Sequence, residues 1–327
     1  MPDTHSSPKK PLSESMLASA TVDNTPRIGI ILSSFQGGAE HDGTPVPGLS
    51  DPQPADKELS NAQMEGMLRK AMQLGSRGRR MSLGGVSGDD WVLIKITRTR
   101  DASTDPRLLA ALLHLYGEGK QGQRFTVAEA APATPEINAI LKECNARFAG
   151  RRFEYIDLTA AEMLESASPR RTFAARNPDG IYSLARVFRE CDRLITVSPL
   201  RTSPVTGVAL SVASYWAFAG NQRKLPELGE AADVLNDIYL HHPADYAIVG
   251  GSHHHDGTKR IHHNLVIAGS NAVAVDAVAA AVMGYEPEKL PLFDRMELRG
   301  FGVVSPDAIW TRGNEIEEAR GPFRKPA

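Results

Sequence analysis

Cysteine is scarce in this chain of 327 residues, which contains two, Cys144 and Cys191, and neither belongs to a CxxC pair. Two cysteines are too few for a disulfide framework or for an iron–sulfur cluster held by cysteines. We therefore expect no iron–sulfur cofactor, and the reducing cytoplasm is the compartment that fits best.

Excess charge and long apolar runs are also missing. The formal net charge is −2, so the basic surface typical of nucleic-acid binders is not expected. The longest apolar stretch, 205–220, is interrupted by Thr206, Ser211 and Ser214 and is too short to span a membrane. Partners of either kind, nucleic acid or membrane, are therefore not predicted, and a small-molecule substrate is. The sequence leaves open whether the chain forms a homo-oligomer.

The chain also lacks the common phosphate-binding and nucleophile motifs. It contains no GxxxxGK[ST], no GxGxxG after a strand-like run, and no GxSxG, since residues 84–88 read GGVSG. We therefore expect no nucleotide cofactor and no nucleophile-elbow chemistry.

The domain organisation follows from composition. Residues 1–25 are polar, lack an apolar signal core and predict a disordered tail. Residues 26–320 predict a single domain, with two lobes that meet near 160–180 as the alternative, and residues 321–327 predict a C-terminal tail.

Apolar runs that fit buried strands alternate with segments of helical periodicity. The expected strands are 27–32, 91–96, 124–129, 153–156, 193–197, the apolar run that begins at residue 245, and 264–268; the expected helices are 61–74, 105–116, 135–148, 181–190, 205–218, 228–240 and 272–283. This alternation predicts an α/β fold with a mainly parallel sheet and helices on both faces. Ligands in such sheets bind beyond the carboxyl ends of the strands.

Five of the ten histidines lie in one short connection between two expected strands, in the segment 245–263. In an extended chain His253 and His255 would share a face. Together with Asp256 they are candidates for proton transfer. His253, His255 and His263 are the candidate ligands for a divalent metal, with Zn, Fe, Mn or Ni as the options. The alternative is a solvated loop whose histidines have no role.

Two further segments predict an anion site. Lys95 ends an apolar strand and Arg98 follows it, so both could meet a carboxylate or phosphate; a structural ion pair is the alternative for Lys95. Arg201, Thr202 and Ser203 follow another strand. There the N-terminus of the next helix would attract an anion and Arg201 could clamp it, with helix capping as the alternative for Ser203.

Asp276 is the lone carboxylate in an otherwise apolar helix. A carboxylate in such surroundings must be paired, hydrogen-bonded or used in catalysis. We take Asp276 as a fourth catalytic candidate, and a structural role is equally open.

The ordered motifs resemble the DUF362 family. The resemblance lies in the helix 67–72 with the lysine-ended strand 90–95, in the strand–loop–helix 194–210, and in the block 271–284 followed by Gly300-Phe-Gly302 and Gly313. It covers residues 27 to 318 in order and implies the family fold and a site at the sheet edge. It implies no particular reaction.

This chain departs from the family pattern in four places. Arg201-Thr202-Ser203 stands where the family usually has Lys-Thr-His, and the Lys-Asn that commonly follows is replaced near Ser214-Tyr215. Residues 253–256 fill a glycine-rich loop, and the cysteine-rich ferredoxin-like segment of many members is missing. The resemblance therefore implies a divergent member without a cluster.

The leading hypothesis is an enzyme of lyase, isomerase or cyclase type that acts on a carboxylate or phosphate metabolite. Lys95, Arg98 and Arg201 would hold the anion, and His253, His255, Asp256 and Asp276 would move protons or hold a metal. The alternatives are a protein that binds a metal or metabolite without turnover, and a metal-dependent hydrolase or oxidoreductase.

Overall fold

The structure is a computed structural model that describes residues 25–36, 53–76, 85–119, 122–257 and 259–324. Its strands are β1 (Arg27–Leu32), β2 (Trp91–Ile96), β3 (Arg124–Glu129), β4 (Arg152–Asp157), β5 (Met163–Ala167), β6 (Ile181–Ala185), β7 (Arg193–Ser198), β8 (Thr202–Ser203), β9 (Gly207–Val208), β10 (Tyr246–Asp256), β11 (Lys259–Gly269) and β12 (Trp310–Gly313). The α-helices are α1 (Asn61–Leu74), α2 (Pro106–Glu118), α3 (Pro135–Arg147), α4 (Arg186–Glu190), α5 (Leu225–Leu228), α6 (Ala231–His241), α7 (Ala272–Val282) and α8 (Pro291–Leu298). Short 3₁₀ helices cover Val212–Phe218, Gln222–Lys224, Pro287–Lys289 and Pro306–Ala308.

Eight of the strands form one sheet in the order β12-β1-β11-β10-β7-β2-β3-β4. β11 pairs antiparallel with both β1 and β10, and the other neighbours pair in parallel. The predicted fold class, a mainly parallel sheet in an α/β protein, is confirmed.

Helices cover the sheet on both faces because its strands are apolar on both. In β2, Val92 and Ile94 pack in one core cluster with α1, α2 and α3, whereas Leu93 packs in the other with α6, α7 and α8. Local caps fix where the helices begin. Ser60 and Gln63 form a capping box at α1, and Asp105 caps α2, whose first residue is Pro106.

The connections leave β2 and β7, which are neighbours in the middle of the sheet, in opposite directions. After β2 the chain passes through α2 on one face to β3, and after β7 it passes through α6 on the other face to β10. Open α/β sheets bind ligands in the crevice at such a switch point. The topology therefore directs attention to the carboxyl ends of β2 and β7.

Two predicted helices are wrong in their first halves. In 181–190 the first half is strand β6, where Tyr182 and Leu184 are buried and Ile181 and Ser183 are exposed, an alternation typical of a strand. In 205–218 the first half contains the turn and the second strand of the β8–β9 hairpin. Its Gly207 has φ +76°, which a helix cannot contain.

The histidine segment is a hairpin rather than a loop. β10 and β11 continue past the body of the sheet, and their register pairs His253 with His262 and His255 with Arg260. The register shifts between Gly251 and His253, and such bulges re-aim the side chains that follow them.

The predicted N-terminal tail lies almost wholly outside the described residues. Near the other end, Phe323 packs against the core and the Arg324 N–H donates to Asp256, so residues 321–324 are held against the domain. The β5–β6 hairpin lies at the predicted lobe boundary near 160–180. In the described part of the chain no helix is long and apolar enough to cross a membrane.

Candidate functional site

A cavity of about 670 Å³ opens at the carboxyl ends of β2, β3 and β7. Its polar lining includes Lys95, Arg98, Glu129, Arg201 and Ser203. Four of these five residues belong to the predicted anion-binding set, and the fifth, Glu129, ends the neighbouring strand. The strand-end rule and the topology thus select the same place.

Lys95 and Glu129 form a buried ion pair on this cavity. The distance from Lys95 Nζ to Glu129 Oε2 is 2.8 Å, and the two side chains are 1% and 7% exposed. Lys95 also donates to the carbonyl of Ile96. Burial lowers the pKa of the Lys95 ammonium, and the Glu129 carboxylate opposes that shift. The ion pair that was the alternative reading of Lys95 exists, and it faces a cavity.

Glu129 is held by three donors. Its Oε2 accepts from Lys95 and from the Arg98 backbone N–H at 2.8 Å, and its Oε1 accepts from the Ala130 N–H at 2.6 Å. The sequence placed Glu129 at a strand end without assigning it a role. The parallel pairing of β2 with β3 places Glu129 beside Lys95, and the order of elements alone does not predict that pairing.

Arg201 is the cation of this cavity with unused hydrogen-bonding capacity. Its Nε is buried and has no hydrogen-bond partner among the described residues. Burial lowers the pKa of Arg201, and the charges of Asp101 and Glu129 oppose the change. An arginine stays protonated in proteins, so this half-buried guanidinium is suited to an anionic ligand.

The other predicted anion-binding residues are held differently. The Arg98 guanidinium donates to the Pro132 carbonyl. Ser203 Oγ accepts from the N–H groups of Val205 and Thr206, so it orders the β8–β9 turn. Thr202 Oγ accepts from the Gly257 N–H at 2.7 Å and does not line the cavity. The predicted helix cap at Ser203 is therefore a turn contact, because no helix begins there.

His253 and His255 lie on a second cavity of about 620 Å³, which shares Thr99 with the first. Arg201 and His255 pair as backbone neighbours, and Arg201 faces one cavity while His255 faces the other. Burial is the main cause that lowers the pKa of both His253 and His255. The predicted groups thus divide between two neighbouring cavities.

His254 and His263 are structural. His254 is fully buried, accepts from the Leu200 N–H through Nδ1, and donates from Nε2 to the His263 carbonyl at 2.7 Å. Nε2 of His263 lies 2.9 Å from the Ala319 carbonyl. The predicted metal set of His253, His255 and His263 is therefore not brought together, because cross-strand pairing points these side chains to different partners.

The two predicted catalytic aspartates are occupied elsewhere. Asp256 accepts from the Arg324 N–H at 2.8 Å and lies 3.5 Å from the Thr202 hydroxyl. Asp276 is 1% exposed and accepts from the N–H groups of Ser211 and Val212. Neither lines either cavity. The predicted helix N-terminus after residues 201–203 does not exist, and the N-terminus of the 3₁₀ helix Val212–Phe218 is already occupied by the chain's own Asp276.

Other groups could hold a metal. Among the described residues, the sets of at least three potential ligands with atoms within 4.8 Å of one another are Glu58, His253 and His262, and His114, Glu143 and Cys144. The first contains His253 of the predicted metal set, His262 from the same histidine segment, and Glu58, which sequence reasoning missed. The hairpin register places His262, rather than His263, opposite His253.

A family comparison matches the central part of this architecture. The profile described as "Domain of unknown function (DUF362)" matches residues 92–281, more than half of the chain. The chain belongs to the DUF362 family. In this DUF362 protein the match begins in β2 and ends in α7, so it includes Lys95, Glu129, Arg201 and the histidine hairpin.

Among solved structures, the chain is similar to the lactate racemase apoprotein from Thermoanaerobacterium thermosaccharolyticum. The identity is 16% and the TM-score 0.42, over 67% of this chain and 55% of that one. No curated protein sequence matches this DUF362 chain.

Proposed function

We propose that this protein is an enzyme that moves a proton on a small anionic metabolite bound between the carboxyl ends of β2 and β7. One observation carries the proposal: the buried Lys95–Glu129 pair and the half-buried Arg201, whose buried Nε has no partner among the described residues, line the same cavity. A base whose pKa is shifted and an unsatisfied cation in one crevice are the elements of an acid–base site for anions.

Arg201 would bind the carboxylate or phosphate of the substrate. Its guanidinium can present two parallel N–H groups to one anionic group, and such charge-assisted bonds fix orientation. A buried guanidinium nitrogen without a partner is costly, and an anionic ligand would remove that cost. Arg98 is a second cation at the entrance, although its guanidinium already donates to Pro132.

Lys95 would carry the proton. Burial brings the pKa of its amine closer to neutrality, and general acid–base catalysis is most efficient when the catalytic pKa lies near the working pH. Glu129, fixed by three donors, would hold the amine in place and balance its charge after it accepts a proton. Isomerisation and elimination next to a carboxylate both begin with such a proton transfer.

The rest of the cavity fits the hydrocarbon part of such a substrate. Leu210, Trp216 and Leu235 line it, and a volume of about 670 Å³ lies within the range of small-molecule sites. The position of Trp216 also provides an optical reporter of binding.

Ligand binding is tested first, with benzoate and phenylphosphonate as anionic probes and benzamide as the uncharged isostere of benzoate. We expect the anions to change tryptophan fluorescence and W216F to lose the signal. R201A should weaken binding by about tenfold or more, because a hydrogen bond to a charged group contributes about 1.5–3 kcal/mol. R260A, on the second cavity, is the matched control and should bind normally. Equal binding of benzamide, or no effect of R201A, would contradict the proposed anion site.

Proton transfer is tested without knowledge of the substrate. Small 2-hydroxy, 2-amino and 2-oxo acids are incubated with the protein in D₂O, and NMR follows deuterium entry at carbon. Exchange that wild type catalyses and K95M does not would support the assigned role of Lys95. Arg201-dependent binding with no exchange into any bound acid would favour the binding-protein alternative.

A further inference from the structure

The histidine hairpin and the segment before α1 bring three potential metal ligands together, outside the cavity that contains Lys95. His253 and His262 are directly opposite each other on β10 and β11, and their ring centroids are 4.6 Å apart. Glu58 approaches from the segment before α1, with its Oε1 3.5 Å from His253 Nε2. One ligand atom from each residue lies within 4.8 Å of the others.

We infer that Glu58, His253 and His262 form a binding site for one divalent transition-metal ion on the wall of the second cavity. Two imidazoles and one carboxylate are a donor set that zinc and other first-row divalent ions take. The site is independent of the proposed proton transfer at Lys95, since none of its three metal-binding residues lines the first cavity.

The backbone around these ligands is fixed on both sides. Asn264 in β11 donates from its side chain to the Lys57 carbonyl at 2.6 Å, and its backbone N–H donates to the Ala55 carbonyl at 2.7 Å. These bonds hold the segment that carries Glu58 against the hairpin that carries both histidines. The bulge between Gly251 and His253 sets the direction of His253, as bulges near functional sites do.

The remaining contacts suit ligation. Nε2 of His262 lies 3.3 Å from Asn264 Oδ1, the kind of outer contact that orients a metal-bound imidazole, and it leaves Nδ1 for the ion. Nε2 of His253 lies 3.5 Å from Glu58 Oε1 and is therefore its candidate ligand atom. Glu58 is 69% exposed, which allows its side chain to close the short distance to bonds of about 2.0–2.2 Å.

Three protein ligands leave coordination positions open, which is the arrangement of catalytic rather than structural zinc. Of the three ligands, His253 lines the second cavity, which Arg107, Arg260 and His255 also line, together with the carboxylates of Asp101, Asp105 and Glu136. Arg107 lies 3.5 Å from Glu58 Oε2 and is held by Asp105 and Ser252.

The test uses the full chain without a tag, purified without a metal column and stripped with a chelator. Zinc is titrated by calorimetry, and Co²⁺ absorption reports the coordination geometry. We expect one site in wild type. The affinity should fall at least about 100-fold in H262A and markedly in E58Q, because even an outer-shell change costs about 10–100-fold. E58Q changes an exposed side chain conservatively, so it separates ligation from folding.

H255A and H114A are the controls, and both should bind zinc as wild type does. His255 is the other histidine of the cavity and His114 belongs to the second candidate set. In that set burial raises the pKa of the Cys144 thiol to about 12, which disfavours the thiolate that zinc requires. Absence of zinc binding in wild type, binding unchanged in H262A and E58Q, or binding lost in H114A alone would each overturn the inference.

Discussion

The carboxylate of Asp276 accepts a hydrogen bond of 2.8 Å from the backbone N–H of Val212, the first residue of the 3₁₀ helix Val212–Phe218. Its other oxygen accepts from the Ser211 N–H at 3.0 Å. The helix that follows supplies Ala213, Ser214 and Trp216 to the wall of the first cavity. Asp276 therefore positions one wall of the candidate site through the backbone of this helix, although it does not line the cavity itself.

Replacement of Asp276 by Asn should change how stability depends on pH. Burial raises the pKa of Asp276 from an ordinary 3.8 to about 7, so between these values the folded protein binds more protons than the unfolded chain. The contribution of Asp276 to stability is full below pH 4 and falls as pH rises to 7. As pH rises through that window, the unfolding free energy of wild type should fall relative to that of D276N, by up to about 1.4 kcal/mol per pH unit.

Urea unfolding of both proteins at pH 5 and at pH 8 measures this shift. The comparison isolates Asp276, because all other groups titrate in both proteins. A difference that is the same at both pH values would show that Asp276 is ionised throughout, held by its two backbone donors.

A double-mutant cycle should reveal strong coupling between Lys95 and Glu129. K95M or E129L alone leaves one buried charge without its partner, which typically costs about 3–5 kcal/mol. K95M/E129L removes both charges and should cost clearly less than the sum of the two single changes. Arg124 and Glu154, which are 2.6 Å apart and partly exposed, form a control pair with coupling below about 1 kcal/mol. Additive single effects at Lys95 and Glu129 would contradict the buried pair.

The fold and the location of the first cavity follow from local signals in the sequence. Lys95 could be found because one lysine ends a wholly apolar strand, and the rule for parallel sheets then places Arg201 and Glu129 at the same edge. Such signals depend on neighbours along the chain. They place these residues at one edge of the sheet, whereas the contact between Lys95 and Glu129 depends on the parallel pairing of β2 with β3, which they do not give.

The detailed roles of Asp276 and the histidines depend on long-range contacts. Asp276 meets an N-terminus 64 residues away, and His253 meets a histidine that only the hairpin register identifies. The sequence predicted a helix over 205–218 and not the β8–β9 hairpin, because the small apolar residues of this segment suit both structures. Gly207, with its positive φ, was the signal against a helix.

We expect the carboxylate of Asp237 to hold the arginine-rich segment 169–176 in its folded position. Its fully buried carboxylate accepts from the N–H groups of Phe173 and Ala174 and forms an ion pair of 2.9 Å with Arg299. D237N would present an amide to these donors, so we expect a loss of about 3–5 kcal/mol and local opening of the segment. Trypsin should then cleave faster after the exposed arginines of 169–176.

D233N is the matched control for that experiment. Asp233 lies on the same helix and pairs with Arg295 at 2.7 Å, but both side chains are partly exposed, so the loss should stay below about 1 kcal/mol. Equal trypsin sensitivity of D237N and D233N would show that the segment is held by other contacts, such as the cation–π contact of Arg299 with Phe173.

Removal of the imidazole at His241 should make the protein more resistant to acid. Burial, with a smaller effect of the nearby Arg189 charge, lowers the pKa of His241 from 6.5 to about 4. Between these values the unfolded chain binds more protons, so the stability contributed by neutral His241 is present above pH 6.5 and is lost as pH falls to 4. The loss should amount to about 3 kcal/mol at most.

H241F tests this sign directly. Nε2 of His241 is buried without a hydrogen-bond partner in the described part of the chain, and the Arg189 guanidinium that lies 3.3 Å from its Nδ1 also donates to the His241 carbonyl, which the variant keeps. Phe can replace the ring contact with Tyr182, so H241F should cost little at pH 7.5. At pH 4.5 the variant should be the more stable of the two proteins in urea. Parallel stability curves from pH 7.5 to 4.5 would mean that His241 becomes protonated without cost, and burial would then not control its charge.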